Sequence, residues 1–189
     1  IHKSSVHDRL LHHSIYKILY PFFDRKFIAD SFSCRNKKGT HKALNRFRDF
    51  IYKVSKNNTR TCWVLKCDIK KFFENIDHEI LLKILGRYIP DEIIMWLLER
   101  VILSFSSFPG RGLPLGNLTS QLFVNIYMNE FDQFVKHKLK AKYYIRYADD
   151  FLILSDSHNW LIEQIPEIKE FLAEKLKLEL HPDKIFIKT

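Results

Sequence analysis

Apolar residues recur along this chain at spacings that separate helix from strand. Over residues 4–30, Leu10, Leu11, Ile15, Ile18 and Leu19 return every three or four positions, the period of a helix face, until Pro21 interrupts the pattern. A basic loop follows, Ser33-Cys34-Arg35-Asn36-Lys37-Lys38-Gly39-Thr40, and then a second helical pattern through Ala43, Leu44, Phe47, Phe50 and Ile51. Asn57-Asn58-Thr59 reads as a turn, and the run from Cys62 to Ile69, headed by Trp63, Val64 and Leu65, as a buried strand. Helices are predicted after Asp77, through Ile80, Leu81, Ile84 and Leu85, and over 91–103, through Ile94, Leu97, Leu98 and Val101. Pro109 to Pro114 is a loop, with Gly116 just beyond, and a long helix runs from about Thr119 to Leu139 with Phe123, Ile126, Phe131 and Phe134 facing inward.

The rest of the chain alternates. Lys142 to Tyr147 and Phe151 to Leu154 read as strands around a tight turn at Ala148-Asp149-Asp150. Leu161, Ile165, Ile168, Leu172 and Leu176 mark an amphipathic helix over 159–176, and Leu178 to Leu180 and Ile185 to Ile187 read as closing strands. A hairpin among alternating strands and helices predicts an α+β fold, its sheet covered on one face by helices.

The 189 residues are long enough to bury a sizeable core, and only 5 glycines and 6 prolines leave little material for a flexible linker. The chain begins at Ile1 rather than methionine and stops at Thr189 directly after a short apolar pattern, so it is read as part of something longer. Lysine and arginine number 31 against 22 acids, and the net charge of +9 suits a polyanionic partner. Cys34, Cys62 and Cys67 form no Cys-x-x-Cys pair and read as buried thiols of a reducing, cytoplasmic compartment. No run of about 18 apolar residues and no signal peptide is present, so no membrane partner is expected.

Asp149 and Asp150 lie side by side between hydrophobic strands. Alone, such a pair reads as a solvated turn. Asp68 changes that reading, because it closes the strand Trp63-Val64-Leu65-Lys66-Cys67. An acid at the end of one buried strand can face the hairpin of its neighbours, bringing oxygen ligands from distant parts of the chain to one point, as magnesium requires. Two such ions about 4 Å apart can activate a 3′-hydroxyl and stabilise leaving pyrophosphate. The nine histidines are scattered and offer no competing cluster.

The segment Ile145-Arg-Tyr-Ala-Asp-Asp-Phe-Leu-Ile-Leu154 resembles the Tyr-x-Asp-Asp motif of reverse transcriptases. Asp68-Ile-Lys-Lys-Phe-Phe-Glu-Asn-Ile-Asp-His78 resembles the family's first aspartate motif, and Gly112-Leu-Pro-Leu-Gly-Asn-Leu-Thr-Ser-Gln121 its template- and nucleotide-holding segment. Leu178-Glu-Leu-His-Pro-Asp-Lys184 resembles the motif after the hairpin. Four motifs in order cover essentially the whole chain.

The resemblance implies a right-hand polymerase fold, of which this is a fingers and palm fragment: residues 1–60 and 81–119 fingers, 61–80 and 120–189 palm, an antiparallel sheet backed by helices, the thumb absent. It implies Asp68 and Asp149 as metal ligands, Asp150 as the third acid, and two Mg2+ ions, with Mn2+ able to substitute. The backbone from Ile69 through Lys70 and Lys71 to Phe72 would contact metal and triphosphate. Phe73 matches the ring that excludes a ribose 2′-hydroxyl, although Phe72 and Phe73 also read as core. Lys184 matches a lysine that protonates pyrophosphate, and reads equally as a solvated lysine after a turn. The partners implied are an RNA template, a DNA or RNA primer, dNTPs and an accessory protein of the retroelement.

Leu115 departs from the commoner pattern. Most reverse transcriptases carry glutamine there and proline where this chain has Gln121. Leu115-Gly116-x-x-x-Ser120-Gln121, with the Ser33 to His41 loop, instead resembles the enzymes of diversity-generating retroelements, in which loss of the glutamine accompanies error-prone copying, mostly opposite adenine. Group II intron-like reverse transcriptases are the alternative element type. An inactive nucleic-acid-binding relic would not need to keep three mutually repelling acids, and a two-metal nuclease would leave the Gly112 to Gln121 segment unexplained.

Overall fold

A computed structural model of the chain describes residues 5–189, so the first position of the predicted 4–30 helical stretch lies outside the described residues. Two compact units emerge. One consists of the chain up to Phe27 together with Lys71–Glu130, the other of Ile28–Lys70 and Phe131–Thr189.

The first unit is helical. α1 (Val6–Asp24) starts at a reciprocal cap: the Asp8 N–H donates to Ser5 Oγ at 3.2 Å and the Ser5 N–H to Asp8 Oδ2 at 3.1 Å. Pro21 does not end this helix, which runs on to Asp24. The face it buries is Ile15, Tyr20 and Phe23, with Phe23 edge-on to Tyr88. Leu10 and Ile18 of the predicted stripe are exposed instead, because the aromatic edge of the helix is the one that finds partners. A short α3 (Phe72–Asn75) leads to α4 (His78–Gly86), capped by Asp77, and α5 (Glu92–Leu103), capped by Asp91. α6 (Leu118–Gln133) then carries the chain toward the second unit and continues as a π-helical turn, Phe134–Lys138, so the predicted helix over 119–139 is regular only as far as Gln133.

The second unit holds one antiparallel sheet in the order β2-β3-β1-β4. Its strands are β1 (Trp63–Cys67), β2 (Tyr143–Tyr147), β3 (Asp150–Ser155) and β4 (Phe186–Lys188). The predicted strand over 178–180 forms only a single bridge, Leu180 to Ile69. One face carries Leu65, Cys67, Tyr144, Phe151 and Ile153, all essentially inaccessible, with the Phe131 ring meeting Phe151 and Tyr144 edge to face. α7 (His158–Leu176) buries Leu161, Ile168, Leu172 and Leu176 and packs on β3. The other face is also covered. Phe50 and Val54 of α2 (Thr40–Val54), with Phe32, pack on Ile145 and Leu154. The expected sheet covered on one face is thus covered on both. The reason is visible in the strands, whose second parity (Val64, Leu152, Leu154, Ile145) is as apolar as the first. Of the three cysteines only Cys67 is buried, its thiol pushed up to about 12 by burial; Cys34 is exposed and Cys62 half-buried, against the expectation of three buried thiols. Among the described residues no helix is long and apolar enough to cross a membrane.

Candidate active site

The sheet register alone gathers the three acids. β1 pairs Cys67 with Phe151, so one step further Asp68 stands opposite Asp150. Tyr147 pairs with Asp150 across the β2–β3 hairpin, which leaves Ala148 and Asp149 at its tip. Ala148 takes the turn at φ +56°, a left-handed conformation costly for a residue with a Cβ. Asp68 is buried and the other two carboxylates are half-buried.

The segment after α7 closes the other side of Asp68. The His181 N–H donates to the Asp68 carbonyl at 2.8 Å, and the Lys70 N–H to the Glu179 carbonyl at 2.9 Å. A 3-10 turn at Pro182–Lys184 then brings Lys184 Nζ to 3.0 Å from Asp68 Oδ2. Lys66 on β1 reaches 3.6 Å from Asp150 Oδ1.

Burial raises the Asp149 carboxyl above its ordinary range, and the charges of Asp68 and Asp150 add to that rise. Its own backbone N–H and Lys184 oppose it. Lys184 is raised in turn, first by its hydrogen bond to Asp68, then by the carboxylates around it. Among the described residues no three His, Cys, Asp or Glu side chains are already drawn together as a cage. The donor chemistry nevertheless fits a hard divalent ion: three carboxylates from two strand ends, repelling one another, with no imidazole or thiolate among them.

The hairpin tip is tied down by a buried charge network that no motif announces. Arg146 is 1% exposed, and its guanidinium grips Asp132 in the last turn of α6 through two bonds, Nε to Oδ1 at 2.8 Å and Nη2 to Oδ2 at 2.7 Å. Tyr144 Oη donates to the same Asp132 Oδ1 at 2.7 Å. The remaining arm, Nη1, donates to the carbonyl of Ala148 at 3.0 Å, the strained residue beside Asp149. The Arg146 backbone is held as well, its N–H by the Asp30 carbonyl at 3.0 Å and its carbonyl by the Phe32 N–H at 3.0 Å. At the tip, Tyr147 Oη lies 3.1 Å from Thr40 Oγ1.

The first unit carries the residues expected to face the nucleotide. Lys71, at φ +47°, precedes α3, in which Phe72 is buried and Phe73 half-buried with the two rings edge to face at 5.5 Å. The Gly112 segment is laced to α3 and its exit. Leu113 N–H donates to the Phe73 carbonyl at 2.9 Å, Gly112 N–H to the Ile76 carbonyl at 2.8 Å, and His78 Nε2 to the Gly112 carbonyl at 2.6 Å. Gly112 has φ +107°, and a Cβ there would lie 2.6–2.9 Å from Ser107 Oγ, N and Cβ, so only glycine fits. A cavity of about 430 Å³ is lined by Phe73, Phe105, Phe108, Leu113, Pro114 and Leu115 among others, which brings Phe73 and Leu115 to one space. Leu115 is 58% exposed, and Gly116 turns the chain at φ +98°. His12 of α1 holds the following helix start, with Nδ1 2.7 Å from Thr119 Oγ1 and Nε2 3.4 Å from Asn117 Nδ2.

Sequence reasoning missed Arg146, Asp132, Lys66 and His12. A signal existed for two of them: Arg146 shares strand parity with Tyr144, and Asp132 sits beside Phe131 on the inward face of a helix. Two opposite charges placed on core-facing positions are costly unless they meet.

The chain is similar to several known proteins. The "Protein YkfC" of Escherichia coli is 25% identical over 95% of this chain and 57% of its own length. The group II intron-encoded protein LtrA of Lactococcus lactis is 25% identical over 95% of this chain and 40% of its own. This chain therefore spans little more than half of YkfC and less of LtrA. In fold it is similar to the apo telomerase of Candida tropicalis truncated from its C-terminal domain, with a TM-score of 0.67 at 12% identity over 94% of this chain and 40% of that one. It is likewise similar to the telomerase of Candida albicans in complex with a TWJ fragment of telomeric RNA, with a TM-score of 0.62 at 14% identity over 96% and 35%. The profile described as "Reverse transcriptase (RNA-dependent DNA polymerase)", a family that works with divalent metal ions, matches residues 1–189. With that match over residues 1–189, the chain belongs to the reverse transcriptase family.

Proposed function

We propose that this chain is the catalytic part of an RNA-directed DNA polymerase, with fingers over 1–60 and 81–119 and palm over 61–80 and 120–189. The observation that carries this reading is the convergence of Asp68, Asp149 and Asp150 at one end of the sheet, with the Asp149 carboxyl pushed up by burial and by its two neighbours. Asp68 and Asp149 would hold two divalent ions, with Asp150 as the third acid and Ile69 contributing its carbonyl. Magnesium is the natural occupant and manganese a substitute. When bound, these ions supply Lewis-acid activation of the primer hydroxyl and charge neutralisation on the leaving pyrophosphate.

The chain's own residues do the rest. Arg146 keeps the Asp149 turn in one conformation by holding Ala148. Lys184, kept protonated by Asp68, stands ready to give a proton to pyrophosphate oxygen. Backbone from Ile69 to Phe72, with the side chains of Lys70 and Lys71, lies on the triphosphate path. Phe73 fills the position where a ribose 2′-hydroxyl would sit, and Leu115 and Gly116 flank the nascent pair. The partners are an RNA template, a DNA or RNA primer and dNTPs, with an accessory protein in the complete element; the site of action is the cytoplasm.

Leu115 and Gln121 favour a diversity-generating retroelement as the source. The intron-encoded relative LtrA favours the second reading, a group II intron-like enzyme. Primer extension on an RNA template with dNTPs tests the activity. Wild type should extend and Asp149→Asn should not; degradation of labelled RNA without extension would replace polymerase by nuclease.

A further inference from the structure

The end of the sheet farthest from the acids carries a second concentration of charge that the polymerase reaction does not use. A cleft of about 310 Å³ opens there, lined by Lys53, Lys56, Lys140 and Lys142, with Tyr143 and Trp160 in its wall. These lysines come from separate parts of the second unit. Lys53 lies in the last turn of α2 and Lys56 just beyond it, while Lys140 and Lys142 flank the entry to β2. Each is exposed, and among the described residues none of the four is held in an ion pair. The single acid in the lining is Asp156, so four positive charges face one negative, a local excess of three.

The placement excludes the reaction centre as their purpose. Tyr143 is four residues up β2 from Tyr147, the residue that pairs with Asp150, which separates the cleft from the acids by about 13 Å of strand. No carboxylate of the catalytic cluster lines it. The shape also argues against a bland solvated surface. Solvated lysines spread out, whereas these surround a concavity whose wall includes two half-buried aromatic rings, Tyr143 and Trp160. The Lys142 ammonium already lies over the Tyr143 ring at 5.4 Å. Clustered ammonium groups beside an aromatic platform match the phosphates and exposed bases of a single-stranded nucleic acid.

We propose that this cleft is a second RNA-binding site, which grips the sugar-phosphate backbone of the template RNA outside the stretch being copied. The proposal rests on the polymerase reading, since it is that reading which makes RNA the resident polyanion. Its effect is tethering: two linked contacts on one RNA raise the effective concentration of template at the catalytic end.

The test is RNA binding by the full chain, measured by fluorescence anisotropy across a salt series, in wild type and in K53A/K56A/K140A/K142A. Neutralised phosphates set the salt dependence, at a slope of about 0.7 per phosphate on a single strand. The quadruple variant should therefore lose about 3 from the slope of log affinity against log salt on a long RNA, and bind at least ten-fold more weakly at low salt. Extension of a short pre-annealed primer–template, too short to reach the cleft, should be unchanged. K53R/K56R/K140R/K142R, which keeps the charge, should retain wild-type slope and affinity, and a thermal melt of the alanine variant should match wild type. An unchanged salt slope and affinity in the alanine variant would overturn the proposal, as would equal loss of extension on the short duplex. Absence of extension by the wild type would defeat the polymerase reading instead, and the binding series would still report on the cleft.

Discussion

In the sheet-bearing unit the turn that presents Asp149 is locked by a guanidinium 1% exposed, two bonds to a buried carboxylate and a third to the Ala148 carbonyl. In the helical unit the residues expected to meet the nucleotide stand in a cavity walled by Phe73 and Leu115, the latter 58% exposed and followed by a glycine turn. Charge proposed to hold ions must be fixed within fractions of an ångström, and the turn that carries it here is fixed by hydrogen bonds that tolerate little displacement. Selection between similar nucleotides needs shape, and apolar shape can be altered one side chain at a time without breaking a network.

The largest effect should come from Asp149. Asp149→Asn removes one of the proposed ligand charges and should reduce primer extension by at least about a thousand-fold while RNA affinity, set by basic side chains, stays near wild type. The same change should slightly stabilise the metal-free protein. The Asp149 carboxyl has its proton affinity raised by folding, so its ionised form opposes the folded state at neutral pH. That penalty is absent below the unfolded-state range and grows as pH rises through the folded value. In chelator at pH 7.5 the variant should melt on the order of 1 °C higher, the small size reflecting a half-exposed group. A lower melting temperature would mean that Asp149 is not under electrostatic strain.

Breaking the lock should cost both stability and chemistry. Arg146→Ala leaves Asp132 buried and uncompensated, a loss of about 3–5 kcal/mol, and the melting temperature should fall on the order of 10 °C. The double change Arg146→Met with Asp132→Leu removes both charges and should recover most of that stability. Extension should nevertheless stay depressed and require more divalent ion, because nothing then holds the Ala148 carbonyl. Full activity in the double variant would reduce Arg146 to a folding residue.

These contrasts also explain what the amino-acid pattern could reveal. Asp68, Asp149 and Asp150 were legible because acids interrupt apolar strands, and a strand end is a place the eye can locate. Arg146 and Asp132 were each legible only as a charge on a core-facing position; their pairing was not, since they are 14 residues apart and belong to elements whose packing no local period specifies. The longer helices were legible, but the short α3 was not, nor which face α1 buries: both edges of that helix are apolar, and Tyr88 and its neighbours decide between them. Leu178 to Leu180 has strand composition, yet it meets β1's extension at one bridge before Pro182 turns the chain away.

Phe73 tests whether shape does the selecting. Phe73→Ala should raise ribonucleotide incorporation by about ten- to a hundred-fold relative to dNTP, the size expected when a steric contact of about 1–3 kcal/mol is removed. Phe72→Ala, at a site 2% exposed, should instead cost about 3–5 kcal/mol of stability and leave sugar selectivity alone. If the two variants exchanged these outcomes, the ring facing the sugar would be Phe72.

The smallest effect, and the one that bears on the element type, concerns Leu115. Its side chain is exposed at the rim of the cavity that Phe73 lines, and it offers only apolar surface. Correct and incorrect pairs touch such a surface about equally, so it contributes to binding without contributing to discrimination. A glutamine at this position could hydrogen-bond to a properly aligned pair and lose that bond with a misaligned one. Fidelity is a difference in transition-state binding, and a discriminating contact of about 1–2 kcal/mol corresponds to roughly a ten-fold change in error. Wild type should therefore misincorporate often, most of all opposite adenine, and Leu115→Gln should lower that error about ten-fold while synthesis continues. Gly116, which turns the chain at φ +98°, is left untouched, so the substitution changes one side chain. Deep sequencing of cDNA from a defined template made by the two proteins reads the result. Low and base-independent error in the wild type would remove the diversity-generating reading and leave an intron-like enzyme in which leucine at 115 has no bearing on accuracy.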